Sequence, residues 1–385
     1  MAYDKVVDSA SLDSKLTQVA DAIRTKGNTS ADLQFPSGFI SAIQAIQTGT
    51  ELQIIVTVTS GATVTATKGS LSVSGTSVNG TCTLVVPEEG EWTVSATLGG
   101  ETSTSNIVNV TSSYDTTLVF ASTTLNDNSW ETIRGISDAG RGANYWSIGD
   151  RKAVTLNGTV GALTLSNFTT YAFIIGFNHN SSLEGANRIH FQLAKTAISG
   201  GKTIGLCDPG YNTQNYESGF IMNPGSSNSA GWRDSHMRND ICGTSLTSYA
   251  GTMIAVIPEE LRAVIKSVTK YTDNASNGSD SSESNITATN DYFFLLGEFE
   301  VRGTIDTSAT NQYEARKQAQ YAYYAAGNNP SAYRHDKTTE YAAWWLRSRD
   351  GGSFRAVINM NQASYVTYSS TYRASDLALV VCFCV

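Results

Sequence analysis

The chain has 385 residues, of which 16% are charged, with a formal net charge of −8 and a pI of about 5.1. That length carries about two to four domains and a sizeable core, while the acidic balance and the lack of any Lys/Arg-rich run argue against nucleic-acid binding. Glycine is plentiful (33) and proline scarce (6), and Ser, Thr, Asn and β-branched residues abound, so turn-rich β structure is favoured over helix bundles.

The opening MAYDKVVDSASLDSKL has neither a basic leader nor an apolar core, so a secretory signal is not expected. Apolar runs fall short of the ~18 residues a spanning helix needs, so no membrane insertion is expected either. Residues 1–48 read as a helical module for attachment or oligomerisation. Leu12, Leu16, Val19 and Ile23 form an amphipathic stripe with Ser9 or Ser11 as N-cap, and Gly27-Asn28 ends it. A second short helix is predicted over Ser37–Gln47, with Phe39, Ile40, Ile43 and Ile46 on one side. Helices this short cannot bury their apolar faces alone; they pack on copies of themselves, on a larger assembly, or as a hairpin on the next domain.

Residues 50–113 alternate with period two. Leu52, Ile54, Val56 and Val58 mark one strand. Val64 and Ala66, then Leu71 and Val73, continue the pattern. Cys82, Leu84 and Val86 precede the turn Pro87-Glu88-Glu89-Gly90. Trp92, Val94 and Ala96 follow it, and Ile107–Val110 closes the set. Short strands with turn signals between them predict a small immunoglobulin-like β-sandwich.

Residues 115–385 read as one α+β domain. Strands are predicted at Thr117–Ala121, Ala153–Leu156, Tyr171–Phe177, Ile189–Leu193 and Tyr292–Val301. Helices are predicted around Trp232–Cys242, Pro258–Ser267 and Glu314–Ala326. Asp273–Asn290, rich in Ser, Asn and Thr, reads as a loop.

Catalytic and metal signatures are sparse. His179, His190, His236 and His335 have no HExxH or HxH spacing, and no P-loop, GxSxG or helix-opening GxGxxG occurs. The cysteines (Cys82, Cys207, Cys242, Cys382, Cys384) are odd in number and lack CxxC, which reads as buried small hydrophobes rather than a zinc or disulfide framework. No catalytic residue, metal or cofactor is assigned. The C-terminal stretch YAAWWLRSRDGGSFRAVINMNQASYVTYSSTYRASDLALVVCFCV is different. Trp344, Trp345 and Leu346 read as scaffold, with at most one tryptophan fully buried because neighbours on a strand face opposite ways. Arg347 calls for a buried carboxylate such as Glu298 or Glu300. Nine of the 18 tyrosines lie between Tyr313 and Tyr372. Tyr321, Tyr323 and Tyr324 are spaced as helix-packing residues. Tyr365, Tyr368 and Tyr372 sit among Ser and Thr, the vocabulary of antibody loops, where rigid amphipathic rings give contact area at low entropy cost.

Several motifs carry a resemblance. Trp146-Ser147-Ile148-Gly149-Asp150, Phe177-Asn178-His179-Asn180, Gly231-Trp232-Arg233-Asp234-Ser235-His236-Met237-Arg238, Phe294-Leu295-Leu296-Gly297-Glu298-Phe299-Glu300, Gln318-Ala319-Gln320-Tyr321 and Trp344-Trp345-Leu346-Arg347-Ser348 are among them. Over roughly residues 130–385 these resemble C-type-lectin-like domains of phage and gut-bacterial surface proteins, including the variable proteins of diversity-generating retroelements. The segments Val19-Ala20-Asp21-Ala22-Ile23-Arg24 and Phe35-Pro36-Ser37-Gly38-Phe39 resemble the opening module of tailed-phage structural proteins. Many relatives continue Arg-Ser-Pro and end Gly-Val-Arg-Pro, whereas this chain has Arg347-Ser348-Arg349-Asp350 and Asp376-Leu377-Ala378-Leu379.

The resemblance implies a receptor-binding protein of the phage tail, located on the virion, that grips a bacterial surface protein or glycan. Other phage tail proteins would be partners, in a homo-oligomer with a trimer favoured. In the diversified branch, mutagenesis of adenines in Asn codons cannot yield Lys, Glu, Gln, Met or Trp, and both Arg349–Asn359 and Ser364–Ser375 contain none of these. The expected displayed face comprises Asp350, Ser353, Phe354, Arg355, Ile358, Tyr365, Thr367, Tyr368, Ser370, Tyr372 and Arg373. Calcium, which sugar-binding relatives often hold, would draw on Asn359, Asn361 and Asp376, but the Glu-Pro-Asn or Gln-Pro-Asp triplet is absent. Two other readings stand beside this one. One is a structural tail or decoration protein without a receptor. The other is an enzyme like the formylglycine-generating family, which uses a cysteine pair near its C-terminus, here Cys382 and Cys384.

Overall fold

The computed structural model describes residues 9–27, 30–45, 51–98, 101–213, 219–224, 231–275, 281–360, 363–368 and 375–385. It is a multidomain mixed α/β protein with several sheets, falling into two units: Met1–Leu98 with Asn106–Leu118, and Gly99–Ser105 with Val119–Val385.

In the first unit, the sequence stripe forms α1 (Ser9–Lys26), which Gly27 closes by donating its N–H to Ile23 O at 2.8 Å. Ser11 therefore lies inside the helix. The second helix, α2, spans Ser37–Ala45. Ala20, Ile23 and Phe39 form a small core, with Leu16, Leu33 and Ala42 packed around it. Leu12, Val19, Ile40 and Ile43 stay about half exposed. Two short helices thus bury only part of their apolar surface on each other.

The alternating segment becomes β1 (Gln53–Thr57), β2 (Thr63–Lys68), β3 (Leu71–Thr76), β4 (Thr81–Val85), β5 (Gly90–Leu98), β6 (Glu101–Thr102, grouped with the second unit), β7 (Asn106–Val110) and β8 (Ser113–Thr117). One sheet orders β4-β1-β8, with β8 parallel to β1. The other is β3-β2-β5, with β7 also pairing β5. Along β1, β2, β4, β5 and β7 burial alternates, with Ile54, Val56, Val64, Ala66, Cys82, Leu84, Trp92, Val94, Ala96, Val108 and Val110 inside. The sheets face each other closely. A Cβ on Gly75 of β3 would stand 3.0 Å from Cys82 Sγ and 3.1 Å from Leu84 Cδ2 of β4, so only glycine fits there without a shift. The strand predicted at Thr117–Ala121 lies earlier, at β8, because pairing with β1 runs from Ser113 opposite Gln53 to Thr117 opposite Thr57.

The second unit runs through α3 (Trp130–Asp138), α4 (Gly142–Tyr145), β9 (Arg151–Val160), β10 (Leu163–Phe177), α5 (Ser181–Glu184), β11 (Ile189–Lys195) and β12 (Ile204–Gly205). A π-helical segment at Met237–Gly243 precedes α6 (Met253–Val256), α7 (Glu259–Arg262), β13 (Val268–Asp273), β14 (Ile286–Asp291), β15 (Phe293–Phe294), α8 (Glu298–Arg302) and α9 (Ala322–Ala325). The chain then forms β16 (Ala332–Arg334), β17 (Tyr341–Asp350), β18 (Ser353–Met360), β19 (Ala363–Tyr368), β20 (Leu377–Ala378) and β21 (Val381–Cys384). One sheet orders β15-β21-β11-β10-β9 and places the closing apolar strand inside it. A second orders β12-β16-β17-β18-β19, with β20 parallel to β17, and β13-β14 forms a separate hairpin.

Four expectations change here. Tyr292–Val301 is not one strand: Gly297 and Gly303, the latter left-handed at φ 71°, bracket the helix α8. Glu300 accepts the Gly297 N–H at 2.8 Å, the reciprocal half of a capping box. Glu314–Ala326 divides into a 3-10 turn (Gln312–Arg316) and α9, and Pro258 caps α7 instead of opening it. Asp273–Asn290 holds most of β14, because its Thr and Ile residues pair with β13 from Val268 opposite Asp291 to Asp273 opposite Ile286.

Candidate ligand-binding face

The C-terminal sequence folds into a ribbon of three antiparallel strands, β17-β18-β19. It is turned at Gly351-Gly352 and paired outward to β19, with Arg355 opposite Tyr368 and Ile358 opposite Tyr365. The middle of the inner strand is interior: Trp344, Trp345, Leu346, Arg347, Ser348 and Arg349 are all 0% exposed. The expectation that at most one tryptophan would be buried is therefore corrected. β17 lies mid-sheet with packed layers on both faces, so both alternating sets of side chains are covered. Each indole keeps its N–H satisfied, Trp344 Nε1 to Pro330 O at 3.0 Å and Trp345 Nε1 to Phe220 O at 2.6 Å.

Beneath this strand lies a buried ionic network. Arg347 binds Glu300 through both guanidinium ends, as the sequence required, and also donates from Nε to Thr272 Oγ1 at 2.9 Å. Lys270 Nζ sits 2.7 Å from both Glu184 Oε2 and Glu300 Oε1. Two cations thus face two carboxylates, and their charges cancel. Burial works against ionisation of Glu300, but Arg347 and Lys270 hold its carboxyl well below the usual range. Lys270 also donates to Tyr321 Oη at 3.1 Å, and that hydroxyl lies within hydrogen-bond distance of His190 Nδ1, at 3.0 Å. His179 stacks on the Tyr321 ring at 3.6 Å between centroids, and burial, then Lys270, pushes it down to about 3. Arg349 Nη2 lies 3.3 Å from Asp273 Oδ2. Ser348 donates to Glu314, whose other oxygen accepts the Asp273 N–H at 2.9 Å. Burial raises Glu314 to about 7, against the pull of those two hydrogen bonds.

The predicted face divides on this frame. Phe354 is 0% exposed and is corrected from a contact residue to a core residue; Ala356 and Val357 are interior as well. Part of the first segment expected on display, at Arg349, Phe354, Ala356 and Val357, is therefore packing. Asp350, Ser353 and Arg355 are partly exposed around the turn. Arg355 Nε is 3.2 Å from Glu298 Oε2, and its Nη2 is 3.6 Å from Asp350 Oδ1. Asp350 also accepts from Thr310 Oγ1 at 3.3 Å, and Gly351, at φ 55°, donates its N–H to the same hydroxyl at 2.8 Å. Ile358 lies on β18, and Tyr365, Thr367 and Tyr368 lie on the edge strand β19. Ser370, Tyr372 and Arg373 lie outside the described residues.

Sequence reasoning missed Lys270, Glu184, Asp273, Glu314 and the burial of Arg349. The available signal was Arg347-Ser348-Arg349, three polar residues continuing an apolar strand, which obliges buried partners. Tyr321, Tyr323 and Tyr324 are core residues, as their spacing predicted.

Among the described residues, two groups of side chains have the makings of metal ligands. In His179, Glu184 and Glu300 the cationic position is already taken by the Lys270 ammonium. In Cys207, His335 and Asp336 the imidazole Nδ1 accepts the Cys207 N–H at 3.0 Å, and Arg334 forks the Asp336 carboxylate at 2.9 and 2.7 Å. Cys382 and Cys384 are free thiols with no exposure. Burial pushes Cys384 up to about 12 and Cys382 well above its ordinary value, the opposite of an activated nucleophile.

A family model described as a domain of unknown function (DUF6273) matches residues 217–385, which spans the ionic network's β13, α8 and β17 and the whole ribbon. No curated protein and no solved structure matches the chain.

Proposed function

We propose that this chain is a phage tail receptor-binding protein. On this reading a C-type-lectin-like second unit grips a bacterial surface ligand through the outer ribbon β18–β19, the sandwich is an immunoglobulin-like spacer, and the N-terminal helices attach or trimerise the protein. One observation carries the reading. The ribbon hangs from a strand with no exposed side chain between Trp344 and Arg349, and that strand is clamped by ion pairs that cannot rearrange cheaply. Such a root keeps its geometry while the outer strand changes sequence, which is what a diversified binding surface needs. Several copies on one virion would raise modest single-site affinity through avidity.

The test is the triple replacement of Tyr365, Tyr368 and Tyr372 by Ala, read by binding to host cells and by thermal melting. Loss of binding with an unchanged melting temperature is expected. Unchanged binding would leave a structural tail or decoration role, and a lowered melting temperature would place those tyrosines in the core.

A further inference from the structure

A cavity of about 420 Å³ opens at the other sheet of the second unit, and none of its lining residues belongs to β17, β18 or β19. Its walls come from the end of α3 (Arg134, Asp138), the approach to β11 (Asn187, Arg188), Lys266-Ser267 before β13, and the apolar Leu246, Ile265 and Tyr292. Three cations therefore line it with a single carboxylate, in a chain whose net charge is −8.

The cations are held in place before any ligand arrives. Lys266, 10% exposed, places Nζ 2.6 Å from Asp138 Oδ1 and donates to Asn187 O at 2.6 Å. Arg134 donates from Nε to Asp138 Oδ2 at 2.8 Å and from Nη1 to Val264 O at 2.9 Å. Arg188 caps Ser267 O through Nε and Nη2, at 3.2 and 3.0 Å, and Ala186 O through Nη1 at 2.7 Å. Lys266 and Arg134 share the one carboxylate of Asp138, and the carbonyl oxygens that fix Arg188 do not cancel its charge, so the lining carries more positive than negative charge. Burial lowers Lys266. Asp138 opposes that shift, and the like charges of Arg134 and Arg188 add to it. The site thus gains from an incoming anion. The volume admits far more than one small ion, since a water occupies ~30 Å³, and the Tyr292 ring with Leu246 and Ile265 offers an apolar wall.

We propose that this cavity is a second ligand site, for an acidic sugar: the carboxylate or phosphate meets Arg134, Arg188 and Lys266, and the ring lies against Tyr292. The site is independent of the ribbon. The test is calorimetric titration of the full chain with glucuronate, glucose 6-phosphate, glucose and inorganic phosphate at low salt. Both acidic sugars should bind, at least about tenfold tighter than glucose, with phosphate weaker than glucose 6-phosphate and all anion binding weakened by salt. Arg188→Gln should weaken binding about tenfold. Asp138→Asn, which removes the lone carboxylate, should tighten it about three- to tenfold. Equal binding of glucose, phosphate as tight as the phosphosugar, or an Asp138→Asn protein with unchanged or weaker affinity would each overturn the proposal. Where Arg188→Gln fails to fold, the Asp138→Asn arm decides. The Tyr365, Tyr368 and Tyr372 triple variant should keep acidic-sugar binding whether or not it still binds cells, which separates this site from the ribbon.

Discussion

The sandwich of the first unit and the ribbon root of the second are both β structure, yet their interiors are stabilised by different physics. In the sandwich, alternate apolar residues point inward, and Ser77 is the buried polar side chain among its described residues. Ser77 answers to Ala62 N and Thr59 O at 3.0 and 2.7 Å. Around β17 the interior holds Lys270, Glu184, Glu300, Arg347, Arg349, Asp273, Glu298 and Glu314, all at 1% exposure or less. The first kind of core tolerates any apolar side chain of suitable volume. The second does not, because removal of one partner strands a charge away from water. The difference teaches where this protein places rigidity: under the ribbon, not in the sandwich.

The largest expected effect comes from breaking the network. Glu300→Ala leaves Arg347 and Lys270 under-compensated and should cost about 3–5 kcal/mol. In calorimetry the transition of the second unit should move while that of the sandwich stays; equal shifts of both would end the contrast. Leu84→Ala in the sandwich should cost about 2–4 kcal/mol through transfer and cavity terms, and should move only the first unit's transition.

Next comes a pH dependence. Glu314 titrates near 7 when folded and near 4.3 when unfolded, so between those values the folded state holds a proton the unfolded state lacks. Its contribution is complete below about 4.3 and is lost as pH rises through about 7. His179, lowered to about 3, works oppositely and favours the folded state as pH rises from about 3 to 6.5. The melting temperature of wild type relative to Glu314→Gln should therefore be highest below about pH 4.3 and fall as pH rises through about 7. A flat difference would mean that folding does not shift this carboxyl.

The smallest effect sharpens the same contrast. Arg316 and Glu283 form an Arg–Glu pair of the same chemistry, but both side chains are at least half exposed. Glu283→Ala should change stability by less than about 1 kcal/mol. A cost near that of Glu300→Ala would show that burial is not what separates them.

Much of the fold was legible in sequence, and so was part of the site. Period-two alternation located β1 to β5 and β7, because a half-buried sheet demands it. The stripe Leu12-Leu16-Val19-Ile23 located α1. Arg347 announced a buried carboxylate, since a guanidinium in an apolar strand has no other tolerable state. Period two failed at Tyr292–Val301, where Gly297 and Gly303 cut out a helix. It also failed at Trp344-Trp345, because alternation says which residues share a face and not whether both faces are covered. Phe354 was placed on the displayed face because it lies within Arg349–Asn359, the segment without Lys, Glu, Gln, Met or Trp, and only the packing of β18 against the core turned it inward.

The sequence by itself determined the local periods, the turn and cap residues, and the obligation to pair Arg347. These depend on neighbours a few residues away. Tertiary structure decided that Glu300, and not Glu298, takes Arg347, and that Lys270 neutralises Glu184. It also gathered Arg134, Arg188 and Lys266 around one cavity. Such choices rest on Coulomb terms between groups 47 to 128 positions apart in the chain, which acquire their strength only when folding brings them within about 3 Å and removes the water between them.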